Sequence, residues 1–86
     1  MKTDQLYKNK VKSKVEVVLY IYDQLISGKS VNASQIMNEF NICDRTFRRY
    51  ISEINSFLYN NYKNQEVVYN HTRNSYCMEE ITIFNL

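Results

Sequence analysis

Arg45, Arg48 and Arg49 fall close together, with Asp44, Thr46 and Ser52 around them. A planar guanidinium pairs with guanine O6 and N7 or grips a phosphate, and Thr and Ser hydroxyls reach the same acceptors. Such chemistry needs the groups on one exposed surface of a rigid element. A helix over residues 44–59 provides it. Phe47, Ile51, Ile54 and Leu58 then form one buried stripe. Advancing about 100° per residue from Phe47 puts Arg45, Arg49, Ser52 and Ser56 on the opposite face, with Arg48 at the flank. The positive charge is confined to the N-terminal half of this helix. The competing reading is a solvated face with local salt bridges. Arg49 and Glu53, four residues apart, are the natural pair, worth only about 0.2–0.5 kcal/mol.

Other chemistry is poorly supplied. The chain has one His, and its two cysteines, Cys43 and Cys77, lie far apart outside any CxxC pattern. A zinc site is not expected. Paired carboxylates at catalytic spacing, a Cys–His couple and a Gly-rich phosphate loop are all missing from the sequence, so neither an enzyme nor a cofactor is expected. The thiols are expected reduced, in a cytoplasm. No apolar run approaches the length of a membrane span, and no small-molecule ligand is implied.

The 86 residues suit one domain, 1–86, with a small core. Hydrophobic residues make up 44% and charged residues 23%, which favours a folded chain over a disordered one. With one Gly and no Pro, turns must use Asn, Asp and Ser. Net charge is +2, but residues 1–14 carry five lysines against Asp4. That basic segment reads equally as a nucleic-acid footprint or as a solvated terminus.

Three helices and a hairpin follow from the pattern. Val15, Val18, Leu19, Tyr22, Leu25 and Ile26 predict a helix over 15–27, extended backward by Val11 and ended by Gly28 in a left-handed conformation. Lys29 to Val31 reads as a connector with a single strand bridge. Asn32 predicts an N-cap for a helix over 33–40, with Gln35 completing a box-like start and Ala33, Ile36, Met37 and Phe40 inward. Asn41 suits a left-handed turn. Cys43 or Asp44 caps the third helix, and Asp44 also suits its positive end. Residues 60–65 read as a loop. Glu66–Asn70 and Ser75–Glu79 are strand-like and flank a polar turn, His71-Thr72-Arg73-Asn74. Val67 and Tyr69 are expected on one face of the hairpin, as are Tyr76 and Met78. Residues 81–86 read as an extended tail.

Two helices separated by about three residues can meet steeply, so that the second projects and fits the major groove. The stretch Val15–Leu58 with the following hairpin resembles the winged helix-turn-helix domains of the DeoR type, including biotin-repressor-like and sugar-regulated antiterminator relatives. The likeness rests on Ala33-Ser34-Gln35-Ile36, Phe40-Asn41-Ile42-Cys43, Arg45-Thr46-Phe47, Arg49-Tyr50-Ile51, Ile54-Asn55 and Leu58. Members commonly read Phe-Gly-Val-Ser, Arg-Thr-Ile, Arg-Asp-Ile and Leu-Asn at these places, with Gly-Tyr in the wing. Here Asn41, Cys43 and Tyr50 replace the Gly, Ser and Asp, and Asn74-Ser75 precedes Tyr76.

This resemblance implies a mainly α fold of three helices plus a β-wing. It implies duplex DNA binding in transcription regulation. It assigns Asp44, Arg45, Thr46, Arg48, Arg49 and Ser52 to a recognition helix, Ser34 and Gln35 to the start of the supporting helix, and His71, Thr72 and Arg73 to the wing tip. His71 reads as an exposed polar residue and Cys43 as a small apolar residue packed near the turn. One such module buries only about 600–1,000 Å² of protein surface on DNA, so a homodimer, several copies on DNA or help from another protein is expected, with the first helix or the tail as the self-association surface, the tail reading also as a third strand on the chain's own core. A winged-helix protein-interaction module and an excisionase-like architectural role are the alternatives.

Overall fold

The computed structural model describes residues 12–81. The expectations for the basic segment up to Val11 and for the tail beyond Ile81 lie outside the described residues. The elements in order are α1 (Lys14–Ile26), α2 (Ala33–Phe40), α3 (Asp44–Asn60), β1 (Gln65–Asn70) and β2 (Ser75–Glu80).

Helix α1 begins at a capping box. Ser13 Oγ accepts the Glu16 N–H at 3.2 Å and Glu16 Oε1 accepts the Ser13 N–H at 3.1 Å. Each bond satisfies an N–H that the first turn would otherwise leave open. The helix ends where Gly28 turns left-handed at φ 84°. There the Gly28 N–H bonds to the Leu25 carbonyl and the Lys29 N–H to the Gln24 carbonyl. These paired reverse bonds close the last turn and need a residue tolerant of positive φ.

The buried face of α1 corrects the expected one. Val17, Ile21 and Leu25 are its buried residues, whereas Val15, Leu19 and Ile26 are exposed. Val18 and Tyr22 sit between the two sets, partly buried against the core. The helix is apolar on two sides, and only the neighbouring elements decide which side goes inward.

Helix α2 starts at Asn32, whose Oδ1 accepts the Gln35 N–H at 3.0 Å. It ends at Asn41, left-handed at φ 56°. Ile36 is buried, and Ala33, Met37 and Phe40 pack against the core. Asn41, Ile42 and Cys43 alone separate α2 from α3. The expected stripe of α3 is buried as read, and Tyr50 joins it. Phe47 and Leu58 have no exposed surface.

Strands β1 and β2 form an antiparallel hairpin that pairs Val67 with Met78, Tyr69 with Tyr76 and Asn70 with Ser75. Val31 makes a one-residue bridge to Tyr76, with both N–H···O=C bonds at 2.8 Å. The connector between α1 and α2 thereby joins the hairpin's free edge. Asn55 fixes the other strand. Its Oδ1 accepts the Val67 N–H at 2.7 Å and its Nδ2 donates to the Val67 carbonyl at 3.2 Å. The core lies between these anchors, built from Val17, Ile21, Leu25, Ile36, Phe47 and Leu58 with their neighbours.

Candidate nucleic-acid interface

Burying Phe47, Tyr50, Ile51, Ile54 and Leu58 leaves the other side of α3 to solvent. Arg45, Arg48, Arg49 and Ser52 are exposed on it, together with Asp44. Among the described residues there are two salt bridges, and Arg45 and Arg49 take part in neither. Arg48 Nη2 lies 2.7 Å from Asp44 Oδ2. Both side chains are more than half exposed, so water screens this pair and its contribution is a few tenths of a kcal/mol at about one turn's spacing.

Glu53 is not the partner of Arg49 that its spacing suggested. Its Oε2 instead takes Lys14 Nζ at 3.0 Å, across from the start of α1. The side chain of Lys14 reaches Glu53 from another element, and among the described residues Arg49 has no salt-bridge partner.

The N-terminal turn of α3 differs from the expectation for Cys43. This residue is the N-cap, yet it is exposed and makes no side-chain cap bond. Its Sγ donates instead to Thr46 Oγ1 at 3.4 Å. With the proton gone, the Thr46 hydroxyl and then the Thr46 backbone N–H donate to the sulfur, and this holds the Cys43 thiol below its ordinary pKa. Thr46 itself is half-buried, and its hydroxyl is engaged by this contact. Its reach outward is shorter than that of the arginines.

His71, Thr72 and Arg73 are exposed at the hairpin turn, and Ser34 and Gln35 are exposed at the start of α2. The turn is held from within. Arg73 donates its N–H to Asn70 Oδ1 at 3.1 Å, and the Tyr69 hydroxyl donates to Asn74 Oδ1. Asn74 adopts φ 54°, the left-handed position that Gly commonly fills. The His71 ring meets the edge of Tyr69, centroids 4.7 Å apart.

Two contacts relate the turn to the helices. Asn32 Nδ2 lies 3.5 Å from the Asn74 carbonyl and joins the turn to the start of α2. Phe47 packs edge-on against Tyr76 at 5.3 Å and sets β2 beneath the first half of α3. The start of α2, the arginine half of α3 and the hairpin turn are thus parts of one connected body. No protein-family model matches the chain, and comparison with curated proteins and with solved structures yields no match.

Asn55 and Lys14 are positioning residues that the sequence pattern does not mark, and Asn32, expected as an N-cap, also ties the start of α2 to the hairpin turn. Asn55 stood in a quoted motif with no role attached. Its partner is a backbone pair twelve residues away, and no local pattern marks it.

Proposed function

We propose that this chain is a sequence-selective duplex-DNA-binding protein of the winged helix-turn-helix kind, acting in transcription regulation in the cytoplasm. The observation that carries this reading is the pairing of a buried inner stripe of α3, Phe47, Tyr50, Ile51, Ile54 and Leu58, with exposed Arg45 and Arg49, which take part in no salt bridge among the described residues. The order of elements supports it. A helix, a single bridging residue, a second helix, a three-residue turn, a third helix and a hairpin follow one another, and the bridge pairs with the last strand.

In this arrangement the N-terminal half of α3 enters the major groove. Arg45 and Arg49 read base edges, and Arg48 and Ser52 approach the backbone. Ser34 and Gln35 at the start of α2 face a phosphate, which a helix N-terminus favours. His71, Thr72 and Arg73 follow the adjacent backbone or minor groove. The protein supplies no catalytic chemistry in this reading. It supplies shape, donors and positive charge.

The test is a titration of labelled duplex at a series of salt concentrations. With roughly five to seven phosphate contacts, log affinity falls against log salt with a slope near −5 to −6. Binding that ignores salt, or none at low salt, overturns the reading and favours an acidic protein partner for the arginines. Selection of bound fragments from random duplexes then gives the site and its symmetry.

A further inference from the structure

We infer that the groove where the end of α3 meets β1 is a docking site for a basic, extended segment of a partner protein, which seats an arginine side chain against tyrosine rings and the hairpin's carboxylates. The groove has a volume of about 620 Å³. Leu58 and Ile81 give it an apolar lining, Tyr59 and Tyr62 stand along it, and Asn64, Gln65 and Glu66 border it. It lies at the opposite end of α3 from the arginines. Tyr59 is about 15 Å along the helix axis from Arg49. The surface is separate from the proposed DNA-reading half of α3, and the inference stands without that reading.

The chain holds two aromatic rings in water here, and one of them at a cost. Tyr59 is 83% and Tyr62 88% exposed. Tyr62 also has φ 53°. Its N–H bonds to the Tyr59 carbonyl and the Lys63 N–H to the Leu58 carbonyl, so Tyr62 fills the left-handed position just past the end of α3. The other left-handed positions among the described residues are Gly28, Asn41, Asn64 and Asn74. Gly and Asn adopt this conformation readily, whereas a bulky side chain does so under strain. Closing the helix needs no tyrosine, and the ring adds almost nothing to the core. A strained residue whose side chain faces water is matched to something outside the fold.

Charge selects the occupant. Glu66 is the direct cross-strand partner of Glu79, and Gln65 that of Glu80. Like charges directly opposite each other work against strand pairing. All three carboxylates are exposed, and neither salt bridge among the described residues includes any of them. Lys63, beside Tyr62 in the chain, is exposed but does not line the groove. A phosphate backbone is repelled by this border, and a purely apolar peptide leaves the carboxylates unanswered. An arginine meets both features, since its plane stacks on a tyrosine ring and its fork pairs with a carboxylate. The amides of Asn64 and Gln65 offer donors and acceptors to the backbone of an extended segment.

The test is a nuclear magnetic resonance titration of the full, isotope-labelled chain with a capped hexapeptide alternating arginine and glycine, at about 0.1 M salt. The expected result is saturable binding with Kd on the order of 0.1–1 mM. Amide shifts should gather in residues 59–66 and 79–81. The corresponding lysine–glycine hexapeptide should bind at least about threefold more weakly, because an ammonium lacks the planar fork. Tyr62→Asn should weaken the arginine peptide at least about fivefold while the unfolding midpoint holds or rises, because Asn relieves the left-handed strain. Glu66→Gln should weaken it similarly, whereas Glu39→Gln, which removes an exposed carboxylate on α2, should not.

Shifts that never saturate, or that centre elsewhere, overturn the inference. Equal losses in Glu66→Gln and Glu39→Gln also overturn it, since general attraction of a cation to acidic surface behaves in that way. A lower unfolding midpoint in Tyr62→Asn does the same, because the ring would then be packed by the chain itself. Equal binding of the arginine and lysine peptides removes the guanidinium as the recognised group. A labelled duplex titrated in parallel should bind Tyr62→Asn as it binds wild type. A loss of duplex affinity in that variant would assign the groove to nucleic acid and overturn the protein partner.

Discussion

Lys14 Nζ lies 3.0 Å from Glu53 Oε2, and this contact ties the first turn of α1 to the middle of α3. Glu53 is one helical turn beyond Arg49, so an acidic group stands beside the proposed reading surface with its charge already opposed. Both side chains are about half exposed, and the pair adds little to stability. Its consequence is for the arginines. Arg49 has no salt-bridge partner among the described residues.

Arg45→Ala and Arg49→Ala are each expected to weaken binding to a selected duplex by about 1–3 kcal/mol. Arg48→Ala, which also dissolves a pair with Asp44, is expected to act less and on all sequences alike. Fluorescence anisotropy against selected and scrambled duplexes checks both statements. Unchanged affinity in Arg45→Ala and Arg49→Ala together would move the recognition surface off α3.

At the hairpin turn, Arg73→Ala is expected to weaken every duplex similarly and to reduce the magnitude of the salt slope by about one. The same titration repeated at four or more salt concentrations measures it. An effect limited to one sequence would mean that the turn reads bases.

Asn55→Ala is expected to destabilise the fold by roughly 2 kcal/mol, because it leaves the N–H and carbonyl of Val67 without partners at a half-buried position. Asn55→Asp keeps the acceptor and loses the donor, and should fall between. Urea unfolding followed by far-ultraviolet circular dichroism gives the midpoints. A midpoint for Asn55→Ala within error of wild type would remove Asn55 as the hairpin's anchor.

For Cys43 the shift is downward, led by the Thr46 side-chain hydrogen bond. A lowered thiol pKa means more thiolate at a given pH, so alkylation of Cys43 should set in at lower pH than for a free thiol. Thr46→Val should move that onset back up. Mass-spectrometric labelling across pH, read separately at Cys43 and at the half-buried Cys77, decides it. An onset at the free-thiol value in wild type would show that the hydrogen bond is not kept in solution.

Much of the fold is legible in local chemistry. Asn32 and Asn41 bracket α2 because an amide caps a helix start and tolerates positive φ at its end. Gly28 closes α1 for the same steric reason. The pairing of the strands about the turn at 71–74 follows from polarity and β-propensity. The inner face of α1 was not legible. Val15, Leu19 and Ile26 fit a helical period as well as Val17, Ile21 and Leu25 do, and period alone cannot rank two apolar stripes on one helix.

Tyr50 was missed as a core residue because its position matched a polar one in the resembled pattern, whereas here the ring is buried with Phe47 and Ile51. The local Arg49–Glu53 pair failed for a tertiary reason. A lysine 39 residues away from Glu53 competes for it, and no window along the chain contains both. In the candidate site, the exposed arginines follow from helical phase. The ties through Asn32 to Asn74 and through Phe47 to Tyr76 do not, since both are made between separate elements.

The bridge between Val31 and Tyr76 has a consequence for how the chain folds. It joins residues 45 positions apart through two backbone bonds, so the link before α2 is complete only after the last strand has arrived. A fragment cut after α3 would leave Val31 with an open N–H and carbonyl beside a core lacking Val67 and Tyr76. The three helices are therefore not an autonomous unit with an ornamental hairpin. Cooperative folding of helices and hairpin together is therefore expected, and the pair α2–α3 is not expected to survive excision or grafting without β1 and β2.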